Sequence, residues 1–320
     1  MVICRTLDEL PPARKPTAVS VGNFDGVHLG HREMFRRLLS RAHDLGGESA
    51  VVTFRPHPLK VLNPTNPLRL INTYAEKETL IEASGIHTLL VIPFDHQFAS
   101  IPPEEFVGDV LVGRLGMKHL IVGYDYGFGR DRRGNATLLR TLGEEHGYTL
   151  ELLEPIGNGG VIYSSTSVRR MIEAGDVAGA VAILGRHFSL AGTVVHGHHR
   201  GRGLGFPTAN LLTEKELIPR DGVYAVKVRV GERLLDGACN VGSNPTFSDA
   251  QRAIEVFILD HSDDLYGEDI RLYFMARVRD ERTFASREQL MAAIAVDVAR
   301  CREILAGATL IGYRDYLGAA

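Results

Sequence analysis

Between residues 18 and 153, short apolar runs alternate with stretches whose apolar residues recur at helical spacing. The runs at 18–21, 50–53, 88–92, 119–122 and 149–153 predict buried strands, and Met34, Phe35, Leu38 and Leu39 mark a helix behind the first of them. Strands that alternate with helices predict βαβ units and a parallel sheet. Several helix starts are legible. Thr73 with Glu76 forms a capping box ahead of a helix toward Ala83, and Pro102 and Pro103 precede one from Glu104. Ser164, Ser165 or Thr166 caps a helix over 167–174, which Gly175 and Asp176 stop.

Past Leu184 the period changes from helical to two, with strands predicted near 191–195, 223–230, 234–241, 253–259 and 270–278. Tyr224, Val226, Val228 and Val230 alternate with Val223, Ala225, Lys227 and Arg229, which separates two faces as a barrel requires. A final helix follows Ser286 and Gln289 and carries the apolar stripe Leu290, Ile294, Val298 and Cys301. The expected organisation is a Rossmann-like α/β domain over 1–185, a β-barrel with a closing helix over 186–305, and a tail over 306–320 with no assigned role.

Composition narrows the class without naming a chemistry. A chain of 320 residues with 44% hydrophobic residues, 23% charged residues and a formal net charge of −3 reads as an ordinary globular protein of about two domains. No basic surplus points to nucleic acid, and no apolar tract is long enough to span a membrane. Cys4, Cys239 and Cys301 are too scattered for a disulfide framework or a CxxC metal site, and the N-terminus lacks a secretory pattern, so a reducing cytoplasm is the expectation. A homo-oligomer is left open.

The segment GNFDGVHLGHR, residues 22–32, sets His28 and His31 three residues apart where the first strand meets its helix. Unpaired N–H groups and the positive dipole end favour an anion there, and glycines let the backbone approach it. Gly22, Asn23 and Asp25 are thus candidate nucleotide- and phosphate-binding residues, with two capping histidines as the plain alternative. In YSSTSVRR, residues 163–170, Ser164, Ser165, Thr166 and Arg169 offer hydroxyls, first-turn N–H groups and a guanidinium to phosphate, or simply cap a helix.

Two loops follow predicted strands at the edge where open α/β sheets bind ligands. TFRPHP, residues 53–58, holds Phe54, Pro56 and a structural His57 in an extended path. GYDYGFGRDRRGN, residues 123–135, offers Asp125 to orient a substrate, Phe128 to stack on a ring and Arg132 to meet a phosphate; a solvated loop is the alternative. In HGHHRGRGLGFPTANL, residues 196–211, Gly197, Arg202 and Gly205 suit an anion-binding nest, although a glycine-rich hairpin reads equally well. Thr208 and Asn210 bring hard oxygens of the kind magnesium accepts. Glu255, inside the apolar run AIEVFILD, is either a solvated outward residue or a base for a substrate hydroxyl.

These pieces, with PRDGVYAV, NVGSNPTF and DLYGEDIRLYF, run in family order from about residue 18 to 305, and the chain resembles the bacterial bifunctional riboflavin kinase/FMN adenylyltransferases, the FAD synthetases. The resemblance implies that the barrel uses ATP and Mg²⁺ to phosphorylate riboflavin to FMN, with Glu255 as base and Thr208 and Asn210 at the metal. It implies that the N-terminal domain then adenylylates FMN with a second ATP to give FAD and pyrophosphate, with His28 and His31 at the transition state. Ser164, Ser165, Thr166 and Arg169 would support the leaving pyrophosphate. An adenylyltransferase joined to a flavin-sensing barrel is the alternative. Two departures stand out: His198 where the family often has Asp, and Ser243 where it commonly has Thr. A titratable His198 would make kinase nucleotide affinity vary with pH.

Overall fold

A computed structural model describes residues 1–13, 15–196, 206–243 and 252–312. The chain packs as two compact units, Met1–Ser165 and Thr166–Ala320.

In the first unit, six strands form one sheet: β1 (Val2–Cys4), β2 (Thr17–Val21), β3 (Glu48–Arg55), β4 (Thr88–Pro93), β5 (Met117–Gly123) and β6 (Thr149–Leu153). Their order is β1-β4-β3-β2-β5-β6 and every pairing is parallel. The helices are α1 (Leu29–Asp44), α2 (Pro58–Leu62), α3 (Tyr74–Ala83), α4 (His96–Ala99), α5 (Pro103–Glu105), which runs on as a π-helix over Phe106–Arg114, and α6 (Ala136–His146). A small hairpin, β7 (Gly157–Asn158) with β8 (Val161–Ile162), precedes the unit boundary.

The five strands read from apolar runs are all present. The edge strand β1 was not expected: three residues give no measurable period, and Val2 is exposed while only Cys4 is fully buried. Thr73 and Glu76 form the predicted box, with the Glu76 N–H donating to the Thr73 hydroxyl at 3.1 Å and the Thr73 N–H to the Glu76 carboxylate at 3.1 Å.

The second unit opens with α7 (Ser165–Ala174, its first residue in the other unit) and α8 (Val181–Leu184). A closed barrel follows: β9 (Ser189–Val195), β10 (Ala209–Leu212), β11 (Gly222–Val230), β12 (Arg233–Ser243), β13 (Arg252–Ile258) and β14 (Asp269–Arg279), ordered β10-β13-β12-β11-β14-β9. The sixth strand, β10, was hidden in sequence by its four-residue length. The last helix, α9 (Arg287–Ala306), lays Cys301 and Leu305 on Ala225, Tyr273 and Met275 outside the barrel. Its Asp297 carboxylate takes a fork of hydrogen bonds from Arg279 at 2.6–3.0 Å, which fixes the helix to β14.

Candidate functional site

In the first unit, β2 pairs with β3 on one side and β5 on the other, so successive connections leave in opposite directions at its carboxyl end. That end is the switch point at which open α/β sheets take ligands. The GNFDGVH turn emerges there.

The turn has an unusual backbone. Phe24 and Val27 take φ values of 49° and 38°, which cost side-chain-bearing residues energy and are most awkward for β-branched valine. Four tethers hold it. The buried Asp25 carboxylate accepts the N–H groups of Ile71 at 3.0 and 3.2 Å and Asn72 at 3.3 Å. The Ser165 hydroxyl donates to the Asp25 carbonyl at 2.8 Å. The Asn23 carbonyl accepts from the Lys77 ammonium at 3.2 Å and the Thr53 hydroxyl at 3.3 Å. Phe24 packs on Phe35, and its ring meets His31 edge-on at 5.2 Å. Gly26, at φ 87°, takes a backbone conformation that favours glycine, and a Cβ there would also press on the Ile71 Cδ1 at 2.9 Å.

From this turn the chain enters α1 with His28 as N-cap. The His28 and His31 rings stack at 3.7 Å between centroids, and His31 Nδ1 accepts the His28 N–H at 3.4 Å. Sequence spacing alone brings i and i+3 onto one helix face; the cap geometry adds the stack. Two imidazoles and a helix N-terminus thus converge beside the sheet's carboxyl edge, which suits a polyphosphate.

Other predicted residues fall on the same edge or away from it. Pro56 and Asp125 are exposed at the ends of β3 and β5. Ser164 and Ser165 lie at the start of α7, whereas Thr166 and Arg169 belong to the second unit. Phe54, expected beside the flavin, and Phe128, expected to stack on a ring, are both buried here. Both are core side chains: Phe54 packs edge-on against Phe94 and tilted against Phe98, and Phe128 lies against Tyr126 and Phe106. Both rings add their area to the apolar cluster over the sheet. Asp25, expected at the nucleotide, has its carboxylate committed to the 71–72 backbone. His57 caps α2, its Nδ1 accepting the Leu59 N–H at 3.1 Å. The Arg132 side chain, Gly197, Arg202, Gly205, His198 and the Ser243 side chain lie outside the described residues.

Sequence reasoning missed Lys77, a buried lysine with nothing in its local pattern to distinguish it from a solvated helix residue. A cavity of ≈ 290 Å³ in this unit opens at the amino ends of β2, β3 and β4 beside Lys15, Glu48 and Arg114. It faces away from the histidines, and the switch-point argument favours the other edge.

In the barrel, register decides which way Glu255 points. Tyr224, Cys239 and Val256 are cross-strand partners and fully buried, so they share the interior face. Asn240, Glu255 and Asn210 form the neighbouring row, which projects to the opposite face. Glu255 is therefore directed away from the packed interior, half-buried in a polar patch. The Thr208 hydroxyl donates to its Oε2 at 3.4 Å, and Asn210 and Asn240 flank it on both neighbouring strands. Asn240 was not singled out in sequence, and only the ladder reveals it. A cavity of ≈ 130 Å³ adjoins this patch, lined by Thr208, Val256, His261 and Tyr266 among others.

Among the described residues, no group of three or more His, Cys, Asp or Glu is arranged to hold a metal. The three cysteines are free and buried, and burial pushes the Cys239 and Cys301 thiols up, the latter to about 12. No described helix is long and apolar enough to cross a membrane.

Comparison with known proteins matches both parts of the chain to family models. Residues 10–167 match the FAD synthetase family model and residues 184–305 the riboflavin kinase model. A bifunctional riboflavin kinase/FMN adenylyltransferase of Pseudomonas fluorescens is 38% identical over 96% of this chain and 98% of its own length. That of Escherichia coli K12 is 36% identical over 95% and 97%, and that of Bacillus subtilis 35% over 88% and 90%. A crystal structure described as a macrolide-efflux protein from Streptococcus pneumoniae aligns with a TM-score of 0.85 at 32% identity, covering 94% of this chain and 98% of that one. With identity of this order along nearly its whole length, and with both family models in the same order, the chain belongs to the bifunctional riboflavin kinase/FMN adenylyltransferases.

Proposed function

We propose a division of labour between two sites in a chain that makes FMN from riboflavin and ATP and then FAD from FMN and ATP. The observation that carries it is the stacked His28–His31 pair at the N-terminus of α1, at the switch point of the sheet. There the phosphate of FMN attacks the α-phosphorus of ATP and pyrophosphate leaves. The imidazoles and helix N–H groups stabilise charge that grows on the phosphoryl oxygens, which is the main catalytic demand in such transfers. Gly22 and Asn23 shape the nucleotide pocket, Pro56 and Asp125 border the flavin, and Ser164, Ser165, Thr166 and Arg169 serve the departing pyrophosphate.

In the barrel, Glu255 accepts the proton of the riboflavin 5′-hydroxyl as its oxygen attacks the γ-phosphorus of ATP, and ADP leaves. Thr208 holds the carboxylate in place. The donor set here is hard oxygen from a hydroxyl, an amide and a carboxylate, which fits Mg²⁺ sharing its shell with water and phosphates rather than a softer metal. Thr208 and Asn210 would hold the ion, which offsets the polyphosphate charge when bound. The retained Thr208–Glu255 contact favours a working kinase over a barrel that only senses flavin.

The functional boundary is placed near Arg186, with 1–185 for adenylylation and 186–305 for the kinase; the family matches at 10–167 and 184–305 support it. The cytoplasm is the proposed location, in keeping with three free buried cysteines. The test is to incubate the purified chain with riboflavin, ATP and Mg²⁺ and separate the flavins. FMN and FAD both accumulate on this reading, and FMN without FAD or no conversion at all contradicts it.

A further inference from the structure

Lys77 stands in the second turn of α3 with only 6% of its surface exposed. Its ammonium donates to the Asn23 carbonyl at 3.2 Å and to the Thr53 hydroxyl at 2.9 Å, while the Thr53 hydroxyl donates to the same carbonyl at 3.3 Å. The three groups close a triangle directly under the first residues of the GNFDGVH turn. A charged lysine held out of water is costly, and an apolar residue would serve packing better. What the ammonium supplies here is a strong, charge-assisted hold on one backbone carbonyl, at the point where the chain turns from β2 into two residues of left-handed conformation.

We infer that Lys77 is a positioning residue of the adenylylation site: its ammonium pins the Asn23 carbonyl and so fixes the strained turn that presents His28 and His31 to ATP. The inference rests on the assignment of that turn to adenylyl transfer. In this role Lys77 acts through the turn, by its bonds to Asn23 and Thr53.

The charge is sensitive to pH. Burial pushes the Lys77 ammonium down to about 8, with Asp25 and Glu78 acting to keep it charged and Arg55 against it. These come from every element around it: Asp25 from the turn, Arg55 from the end of β3, Glu78 from α3 itself, with Arg5 of the β1 segment bound to Glu78 at 2.8 Å and the Tyr74 ring 5.4 Å away. Loss of the proton weakens the pin, so adenylylation falls as pH rises through this range.

The experiment follows kcat and KM for FMN plus ATP from pH 6.5 to 10, with riboflavin phosphorylation by the same sample as reference for the intact barrel. Wild-type kcat declines above about pH 8 and levels off no lower than the Lys77→Met value, since the neutral amine still donates. Lys77→Met, similar in length but without a donor, loses at least tenfold in kcat at pH 7.5, keeps its ATP KM within twofold and has no alkaline limb. Lys77→Arg, charged throughout the range, recovers activity and also lacks the limb. A Lys77→Met enzyme with more than half the wild-type kcat, or one that keeps the alkaline limb, overturns the inference. Should Lys77→Met fail to fold, Thr53→Val decides: the inference requires lower kcat and a limb moved to lower pH, and an unmoved limb refutes it. His31→Ala separates the two levels. If it leaves adenylylation intact, the site assignment fails; if it abolishes adenylylation while the Lys77 variants behave as wild type, only the role of Lys77 fails.

Discussion

Replacing Asp25 by Asn separates two uses of a motif carboxylate, contact with nucleotide and support of the loop. In the structure the Asp25 oxygens accept three N–H contacts from the backbone of Ile71 and Asn72, all buried. Hydrogen bonds to a charged group contribute about 1.5–3 kcal/mol each, and an amide oxygen can keep one of them in weaker, neutral form. Its NH₂ then faces the N–H donors. The net loss is about 2–3 kcal/mol, which for a unit of this size lowers the melting temperature by about 5–10 °C. Calorimetry of the ligand-free protein reads this directly, since the barrel's transition stays in place as an internal reference. Adenylylation kcat falls as well, because the turn also carries the histidines, while riboflavin phosphorylation is unchanged. A variant that melts like wild type but shows a raised ATP KM would refute the staple and return Asp25 to the nucleotide.

Three further outcomes follow from the packing. Phe128→Ala removes a core ring and costs the first unit about 3–5 kcal/mol in denaturant unfolding, without a specific rise in FMN KM; a raised KM at unchanged stability would restore the stacking role. Lys77 links stability to pH in the opposite sense to activity. Its folded value of about 8 lies below the ordinary 10.5, so the unfolded chain holds more protons between those values, and stability rises with pH across that window by up to about 3 kcal/mol. The difference between wild type and Lys77→Met in urea melts at pH 7 and 10 isolates it, and a difference that does not change with pH contradicts it. Asp297→Ala leaves Arg279 half-buried without its carboxylate, lowering barrel stability by about 3–5 kcal/mol in calorimetry with adenylylation of supplied FMN preserved.

Much of this molecule could be read from its sequence for a physical reason. Strands β2 to β5 are buried on both faces along most of their length, so they appear as apolar runs, and the half-buried edge strand β6 shows through its leucines; α1 and α3 announce themselves by periodicity and caps. What escaped notice is what depends on distant pairing. β1 and β10 are too short for a period and exist because a neighbour offers an edge. Glu255 could be assigned a face only from its ladder with Asn240 and Asn210. Phe128 looked like a loop aromatic because its contacts, Phe106 and Tyr126, are set by tertiary packing. Lys77 meets Asn23 across 54 residues, and no local pattern encodes that meeting. The His28–His31 pair was legible because three residues at a helix start are close in any fold.

The proposed function requires two separate sites acting in sequence, one around Glu255 and one around His28 and His31. It is tested most directly by giving Glu255→Gln and His31→Ala each either riboflavin or FMN, with ATP and Mg²⁺, and separating the products. Glu255→Gln should leave riboflavin unconverted yet turn supplied FMN into FAD, and His31→Ala should make FMN from riboflavin and stop there. Loss of both conversions in either stably folded variant, or retention of both, would contradict it.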